Sequence, residues 1–137
     1  MNSLLLLSSV LVLIASSARA WNRDADRVVD YWIGPGGWGD PQDVLGHPDG
    51  HHWPDGVFET GAGGWITIEF TDYLACDGPG PDLRVYAWSE AYDTASVYVS
   101  SDNLSWELIG TARRFDMPLF EFTGFDFGHD VGLIRSP

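Results

Sequence analysis

The chain has 137 residues and a formal net charge of −13, with 20 acidic side chains against seven basic ones, all of them arginine. Such a surface repels phosphate backbones and anionic headgroups and attracts cations, which argues against nucleic acid as a partner. Seven Trp, seven Phe and five Tyr supply more buriable aromatic surface than a disordered acidic chain carries, so the chain is expected to fold.

At the start of the chain, residues 4–14 are almost entirely apolar, and Ala15-Ser16-Ser17-Ala18-Arg19-Ala20 follows with small residues in A-x-A spacing at Ala18 and Ala20. The apolar run falls well short of the roughly 20 residues that cross a bilayer. Residues 1–20 therefore read as a cleavable secretory signal peptide that leaves Trp21 as the new N-terminus, although Met1-Asn2-Ser3 carries no basic side chain. No second stretch of spanning length follows, so the product is expected to be secreted and extracellular, without membrane insertion. Residues 21–137 suffice for one domain with a real core. Cys76 is the only cysteine, so stability outside the cell has to come from the core, from bound ions or from both. Cys76 itself reads as a small buried hydrophobe, with an intermolecular disulfide as the alternative.

Seven segments have strand chemistry, being rich in β-branched and aromatic residues and bounded by Gly, Pro, Asp or Asn: 27–32, 64–70, 83–88, 96–100, 106–110, 119–122 and 131–134. Trp65-Ile66-Thr67-Ile68-Glu69-Phe70 alternates with period two and predicts a half-buried strand. Val97-Tyr98-Val99 and Trp106-Glu107-Leu108-Ile109, separated by Ser101-Asp102-Asn103-Leu104, predict a β-hairpin. A short helical turn is expected at 41–45, capped by Asp40 with Pro41 in its first position. No window of a dozen residues after the leader sustains a 3.6-residue apolar period without Gly or Pro, so the predicted class is all-β, an antiparallel β-sandwich. Residues 34–64 form a long segment rich in Gly, Pro, His, Asp and Trp, the kind of loop that carries function or is ordered by something.

The order of the segments adds to this. Val28-Val29-Asp30-Tyr31 precedes Asp40-Pro41-Gln42-Asp43-Val44-Leu45-Gly46-His47-Pro48-Asp49-Gly50, then Gly61-Ala62-Gly63-Gly64 runs into the 65–70 strand. Asp77-Gly78-Pro79-Gly80-Pro81-Asp82-Leu83-Arg84-Val85-Tyr86 follows, and then Ala95-Ser96-Val97-Tyr98-Val99-Ser100-Ser101-Asp102 with Trp106 close behind. This series resembles the discoidin-like, galactose-binding-like jelly-roll domains of secreted and cell-surface proteins, over nearly all of the chain after residue 28. The resemblance implies an eight-stranded sandwich whose loops at one end bind ligands, often carbohydrate, and which commonly includes a calcium ion. Members typically continue beyond a strand like Val131-Gly132-Leu133-Ile134-Arg135, so by this comparison the last strand pair is incomplete or the chain is truncated at Pro137. An unpaired edge would be left, inviting self-association.

Two carboxylates, Asp77 and Asp82, flank a rigid Gly-Pro-Gly-Pro loop. With backbone carbonyls and Asp40 or Asp43, they would supply the six to eight oxygens calcium prefers. Alternatively they are turn residues bonded to their own backbone. His47, His51 and His52 resemble a zinc ligand set in composition, but their spacing is poor and no thiolate accompanies them. Trp38 and Trp53 lie in Gly/Pro-rich loops where an indole can stack on a sugar ring, and with Arg84 and Tyr86 they are the candidate glycan contacts. Both indoles folding back as lids on the core is the competing reading. Asn103-Leu104-Ser105 is a glycosylation sequon in the expected hairpin turn. No catalytic motif of the G-x-S-x-G, H-E-x-x-H or phosphate-loop type occurs, and paired carboxylates alone leave only a weak case for a glycosidase. The sequence therefore favours a secreted, non-catalytic binding module for carbohydrate or a cell-surface glycoconjugate, supported by calcium. The runner-up is a structural or adhesive extracellular protein that gathers calcium non-specifically.

Overall fold

The computed structural model describes residues 3–8, 13–15, 24–46, 58–71, 77–86, 94–113 and 123–128. Its elements are β1 (Ser3–Ser8), β2 (Leu13–Ala15), β3 (Arg27–Trp32), a 3-10 turn (Pro41–Val44), β4 (Trp65–Phe70), β5 (Leu83–Tyr86), β6 (Thr94–Ser100), β7 (Glu107–Arg113) and β8 (Thr123–Phe125). Among the described residues the structure is thus mostly strand with almost no helix, as the all-β reading expects. All pairings are antiparallel, and they form a five-stranded sheet in the order β3-β4-β1-β6-β7 and a three-stranded sheet in the order β2-β5-β8.

One core serves both sheets. Ile66, Ile68 and Phe70 of β4, Ala95, Val97 and Val99 of β6, and Ala112 of β7 cluster with Leu83 and Val85 of β5 and Phe125 of β8. Gly110 shows how closely the sheets approach, because a Cβ there would lie 2.7 Å from the Phe125 ring. Gly110 sits at the register shift between Val97 and Tyr98, where the missing side chain makes room for the phenyl group of the other sheet.

β4 departs from the half-buried strand that its alternation predicts. Ile66, Ile68 and Phe70 face the core as expected, yet Thr67 and Glu69 on the opposite face are also buried, at 3% and 5% exposure. β4 is interior to its sheet, paired on both sides, and the Arg27 guanidinium of β3 lies across Glu69 in an ion pair. At the same end of the pair, Asp26 accepts hydrogen bonds from the Thr71 backbone N–H at 3.1 Å and the Thr71 hydroxyl at 2.7 Å.

The 3-10 turn forms where Asp40 and Pro41 predict a helical turn. Asp40 Oδ1 accepts from the Gln42 N–H at 2.9 Å, Pro41 stands in the first turn, and Val44 is buried. The Leu45 N–H returns to the Gln42 carbonyl and the Gly46 N–H to that of Ala25, which pins the turn beside β3.

β6 and β7 form the expected hairpin, extended to Thr94 and Arg113. Its turn is organised by Ser100 and Asp102. The Ser100 hydroxyl oxygen accepts from the Asn103 N–H at 2.9 Å, and Asp102 Oδ1 accepts from the Leu104 and Ser105 N–H groups, both at 2.8 Å. Asn103 takes φ of 60°, the left-handed conformation asparagine tolerates best among residues with a side chain. The donors from Ser105 and Leu104 hold the Asp102 carboxyl at about 2, below its ordinary 3.8. A depressed carboxylate favours the folded turn above its unfolded value, and that contribution is lost as pH falls through its folded one. An NMR titration of the Asp102 carboxyl carbon is expected to show a midpoint near 2. A midpoint at the ordinary value would mean that these hydrogen bonds do not form in solution.

Two predicted strands, 119–122 and 131–134, lie outside the described residues, and β8 begins just beyond the first of them. The larger difference is at the N-terminus. Ser3–Ser8 and Leu13–Ala15, within the segment that reads as a leader, are β1 at the centre of the five-stranded sheet and β2 at the edge of the three-stranded one. A short apolar run bounded by serines fits a strand as well as a leader, and periodicity alone does not separate the two.

Candidate metal centre

The loop preceding β5 turns sharply because Gly80, between Pro79 and Pro81, takes φ of 90°, a conformation open to glycine. The turn brings Asp82 back under Gly78. Asp82 is 6% exposed, and its hydrogen bonds close its own loop and tie that loop to the chain around β8. Its N–H donates to the Phe125 carbonyl at 2.8 Å, Oδ1 accepts from the Gly78 N–H at 2.8 Å, and Oδ2 accepts from the Phe127 N–H at 2.9 Å. The last bond sets the chain leaving β8 against the start of β5. Asp126 therefore comes to the mouth of the 77–82 loop, where its own Oδ1 accepts from the Gly128 N–H at 2.9 Å.

Carboxylate oxygens of Asp77, Asp82 and Asp126 lie within 4.8 Å of one another, with Asp77 and Asp126 exposed and Asp82 buried. Two oxygens bound to one calcium at roughly 2.4 Å are separated by at most about 4.8 Å, so the spacing matches the diameter of a calcium coordination sphere. The donor set is all oxygen, which suits a hard cation and not zinc. Each Asp82 oxygen already accepts an N–H but retains lone-pair capacity. In the absence of a cation, three clustered carboxylates repel one another, and a divalent ion removes that repulsion.

Two of the four sequence-predicted metal ligands, Asp77 and Asp82, are brought together. Asp40 caps the 3-10 turn and Asp43 lies in its first turn, donating its N–H to the Asp40 carbonyl at 2.9 Å, and neither belongs to the cluster. Asp126 takes the place they were expected to fill. The signal available for it was Phe125-Asp126-Phe127-Gly128, an acidic residue between two apolar ones at a turn. His47, His51, His52 and Cys76 lie outside the described residues.

The aromatic candidates divide similarly. Trp38 is half-buried and bridges to Glu59 by main chain and side chain, its indole Nε1–H donating to Glu59 Oε2 at 2.6 Å. It is held to its own loop and is half-buried there. Trp53 is outside the described residues. Arg84 is half-buried in the middle of the three-stranded sheet, and Tyr86 ends the same strand opposite Leu13. Among the described residues, Trp32 is the most exposed tryptophan, at 60%. It stands in register opposite Trp65 at the end of the β3–β4 pair, and directly opposite positions on antiparallel strands share a face. A strand-like context hid Trp32 from the sequence reading, because edge position cannot be told locally. Asn103 is exposed at its turn, so its side chain is accessible to modification.

Among the described residues, no helix is long and apolar enough to cross a membrane. Comparison with protein-family models, curated proteins and solved structures found no match to this chain.

Proposed function

We propose that this chain is a secreted, non-catalytic binding module of the discoidin-like, galactose-binding-like jelly-roll type, which recognises carbohydrate or a cell-surface glycoconjugate and uses calcium to hold its binding loops. The observation that carries this reading is the convergence of Asp77, Asp82 and Asp126 from two separate turns onto a volume the size of one calcium sphere. An ion there would lock the loop before β5 to the segment after β8, doing for an exported domain what a disulfide does elsewhere. The exposed Trp32 and the half-buried Trp38 offer indole faces of the kind that stack on sugar rings. In a eukaryotic export pathway, Asn103 would carry a glycan.

A glycan array probed with purified protein tests the proposal. Saturable binding of a defined sugar class is expected in calcium, with at least a ten-fold loss in chelator and a comparable loss for Trp32→Ala. Absence of binding to any glycan in millimolar calcium would reject the ligand class. A structural or adhesive role is the second reading, favoured by the outer strand β7, where Leu108 is 56% exposed. It predicts calcium-dependent self-association in sedimentation that soluble sugar does not reverse.

A further inference from the structure

Trp32 is turned outward by an irregularity in its own strand. Val28 pairs with Ile68 and packs against the core, whereas Asp30, two residues on, pairs with Thr67, because the register shifts between them. In a regular strand, Val28, Asp30 and Trp32 would share the core face. The extra residue, Val29, sends Asp30 and Trp32 to the outer face instead, which is how a bulge near a sheet edge re-aims side chains. Tyr31, between them, takes the other face, where its ring meets that of Phe58 edge-on at a centroid separation of 5.9 Å. Trp32 stands opposite Trp65, which alternates with the fully buried Ile66 and so also belongs to the face turned away from the core. Among the described residues neither indole stacks on another ring. Asp30 lies one pleat from Trp32 on the same face and is exposed, its Oδ1 accepting from the Tyr31 N–H at 2.9 Å. The arginine of the same strand, Arg27, is engaged by Glu69 and does not cancel the Asp30 charge.

We infer that this outer corner of the β3–β4 pair binds a linear amino-sugar chain, with Trp32 and Trp65 stacking on successive pyranose rings and Asp30 taking a ring ammonium group. This rests on the carbohydrate reading proposed above and names the sugar class. Opposite positions on paired strands place their Cβ atoms about 5 Å apart, so the two indoles make a strip and not a pocket. A strip suits an internal stretch of polymer and gives a lone terminal sugar little to hold. Charge then selects among sugars. A chain of net charge −13 repels sulfated and uronic-acid polymers and concentrates cations at its surface. The indole face is itself electron-rich and attracts an ammonium group within about 6 Å of the ring centre. A neutral sugar uses stacking alone, whereas an amino sugar adds the cation–π attraction and a charge-assisted hydrogen bond to Asp30. A lysine-rich peptide carries the same charge but has no flat ring to lay on the indoles, so it forgoes the stacking.

The test titrates the full chain, in millimolar calcium, with a glucosamine hexamer at a mildly acidic pH that keeps its amines protonated, read by calorimetry and by tryptophan fluorescence. The comparison probes are glucosamine itself, the neutral N-acetylglucosamine hexamer, and hexalysine, which keeps the charge without the rings. The glucosamine hexamer is expected to bind tighter than each of these by roughly ten-fold or more, with an affinity that falls as salt is raised. Trp32→Ala is expected to weaken both sugar hexamers, the amino sugar by roughly ten-fold. Asp30→Asn, which keeps an oxygen for the Tyr31 N–H, is expected to reduce the preference for the amino sugar and to leave binding of the acetylated hexamer unchanged. Both side chains are exposed, and an unchanged melting temperature checks that the variants fold. Absence of binding by the glucosamine hexamer, equal affinity for the two hexamers, hexalysine binding as tightly as the amino sugar, or Trp32→Ala binding like the parent would each overturn the inference. If a glycan array then shows another sugar bound, the broader carbohydrate reading stands without it, whereas an array with no bound glycan removes both.

Discussion

Replacing Asp82 with alanine is expected to destabilise the domain by about 3–4 kcal/mol, because buried donors that lose a charged acceptor cost roughly 1–3 kcal/mol each. The substitution strips the acceptor from the Gly78 and Phe127 N–H groups, and Phe127 is itself 7% exposed, so water cannot readily replace the carboxylate. Two of the three hydrogen bonds that Asp82 makes are thereby lost, and only its N–H to the Phe125 carbonyl remains. Relief of repulsion from Asp77 and Asp126 offsets part of this loss without calcium, so the penalty is expected to grow when calcium is added. Asp82→Asn keeps one accepting oxygen and is expected to cost about half as much. Urea denaturation would show the loss as a lower midpoint at unchanged slope. A change below about 1 kcal/mol would mean that the carboxylate does not bridge β5 and β8 as described.

The second large effect belongs to the crossing of the two glycine-rich segments behind Trp38. At Gly64 a Cβ would stand 1.8 Å from the Thr60 carbonyl oxygen and 2.8 Å from that of Trp32, and at Gly34 it would stand 2.0 Å from the Ala62 carbonyl oxygen. All of these are backbone atoms that cannot rotate away. Gly64→Ala is therefore expected to cost about 3–5 kcal/mol, beyond ordinary overpacking. Gly36 is the control. A Cβ there meets nothing within 4 Å, although φ is +83°, so Gly36→Ala is expected to cost only the left-handed penalty of about 1–2 kcal/mol. Thermal melts of the two variants separate steric exclusion from backbone preference. Equal losses would show that the segments do not cross this closely. The contact also matters for recognition, since the same crossing carries the Gly34 N–H to Thr60 carbonyl bond at 2.8 Å and the Trp38–Glu59 bridge.

Much of the fold was legible where local chemistry decides it. The β3 and β4 segments, the β6–β7 hairpin and the capped turn at Asp40 all follow from alternation, turn residues and capping within a few positions of each other. What stayed hidden depends on contacts between distant residues. Burial of Glu69 needs Arg27, and the exposure of Trp32 depends on β3 being an edge strand. Neither is written in the local pattern. The candidate metal centre was half legible for the same reason. Asp77 and Asp82 flank one rigid loop, but Asp126 joins them only because Asp82 holds the Phe127 N–H from 45 positions away. Asp40 and Asp43 looked equivalent to it in sequence, yet their carboxylates lie outside the cluster, in a turn whose cap is Asp40 itself. The N-terminal run was ambiguous in another way: its leucines suit a leader and a strand equally, and its pairing with β4 and β6 depends on distant residues.

Calcium is the point on which the functional reading depends, and its predictions differ from residue to residue. Asp126→Asn leaves the Asp82 bridges intact, so it is expected to change stability in chelator by less than about 1 kcal/mol, as exposed carboxylates do, while abolishing the response to calcium. A purely structural carboxylate cluster would not separate stability from calcium response in this way. The most direct measurement is calorimetric titration of calcium into the protein, beside the Asp126→Asn variant, with melting temperatures recorded at the same ion concentrations. One saturable site per chain is expected, with a melting temperature that climbs as the logarithm of free calcium above the dissociation constant, both lost in the variant. Absence of binding heat together with an unchanged melting temperature at millimolar calcium would contradict it.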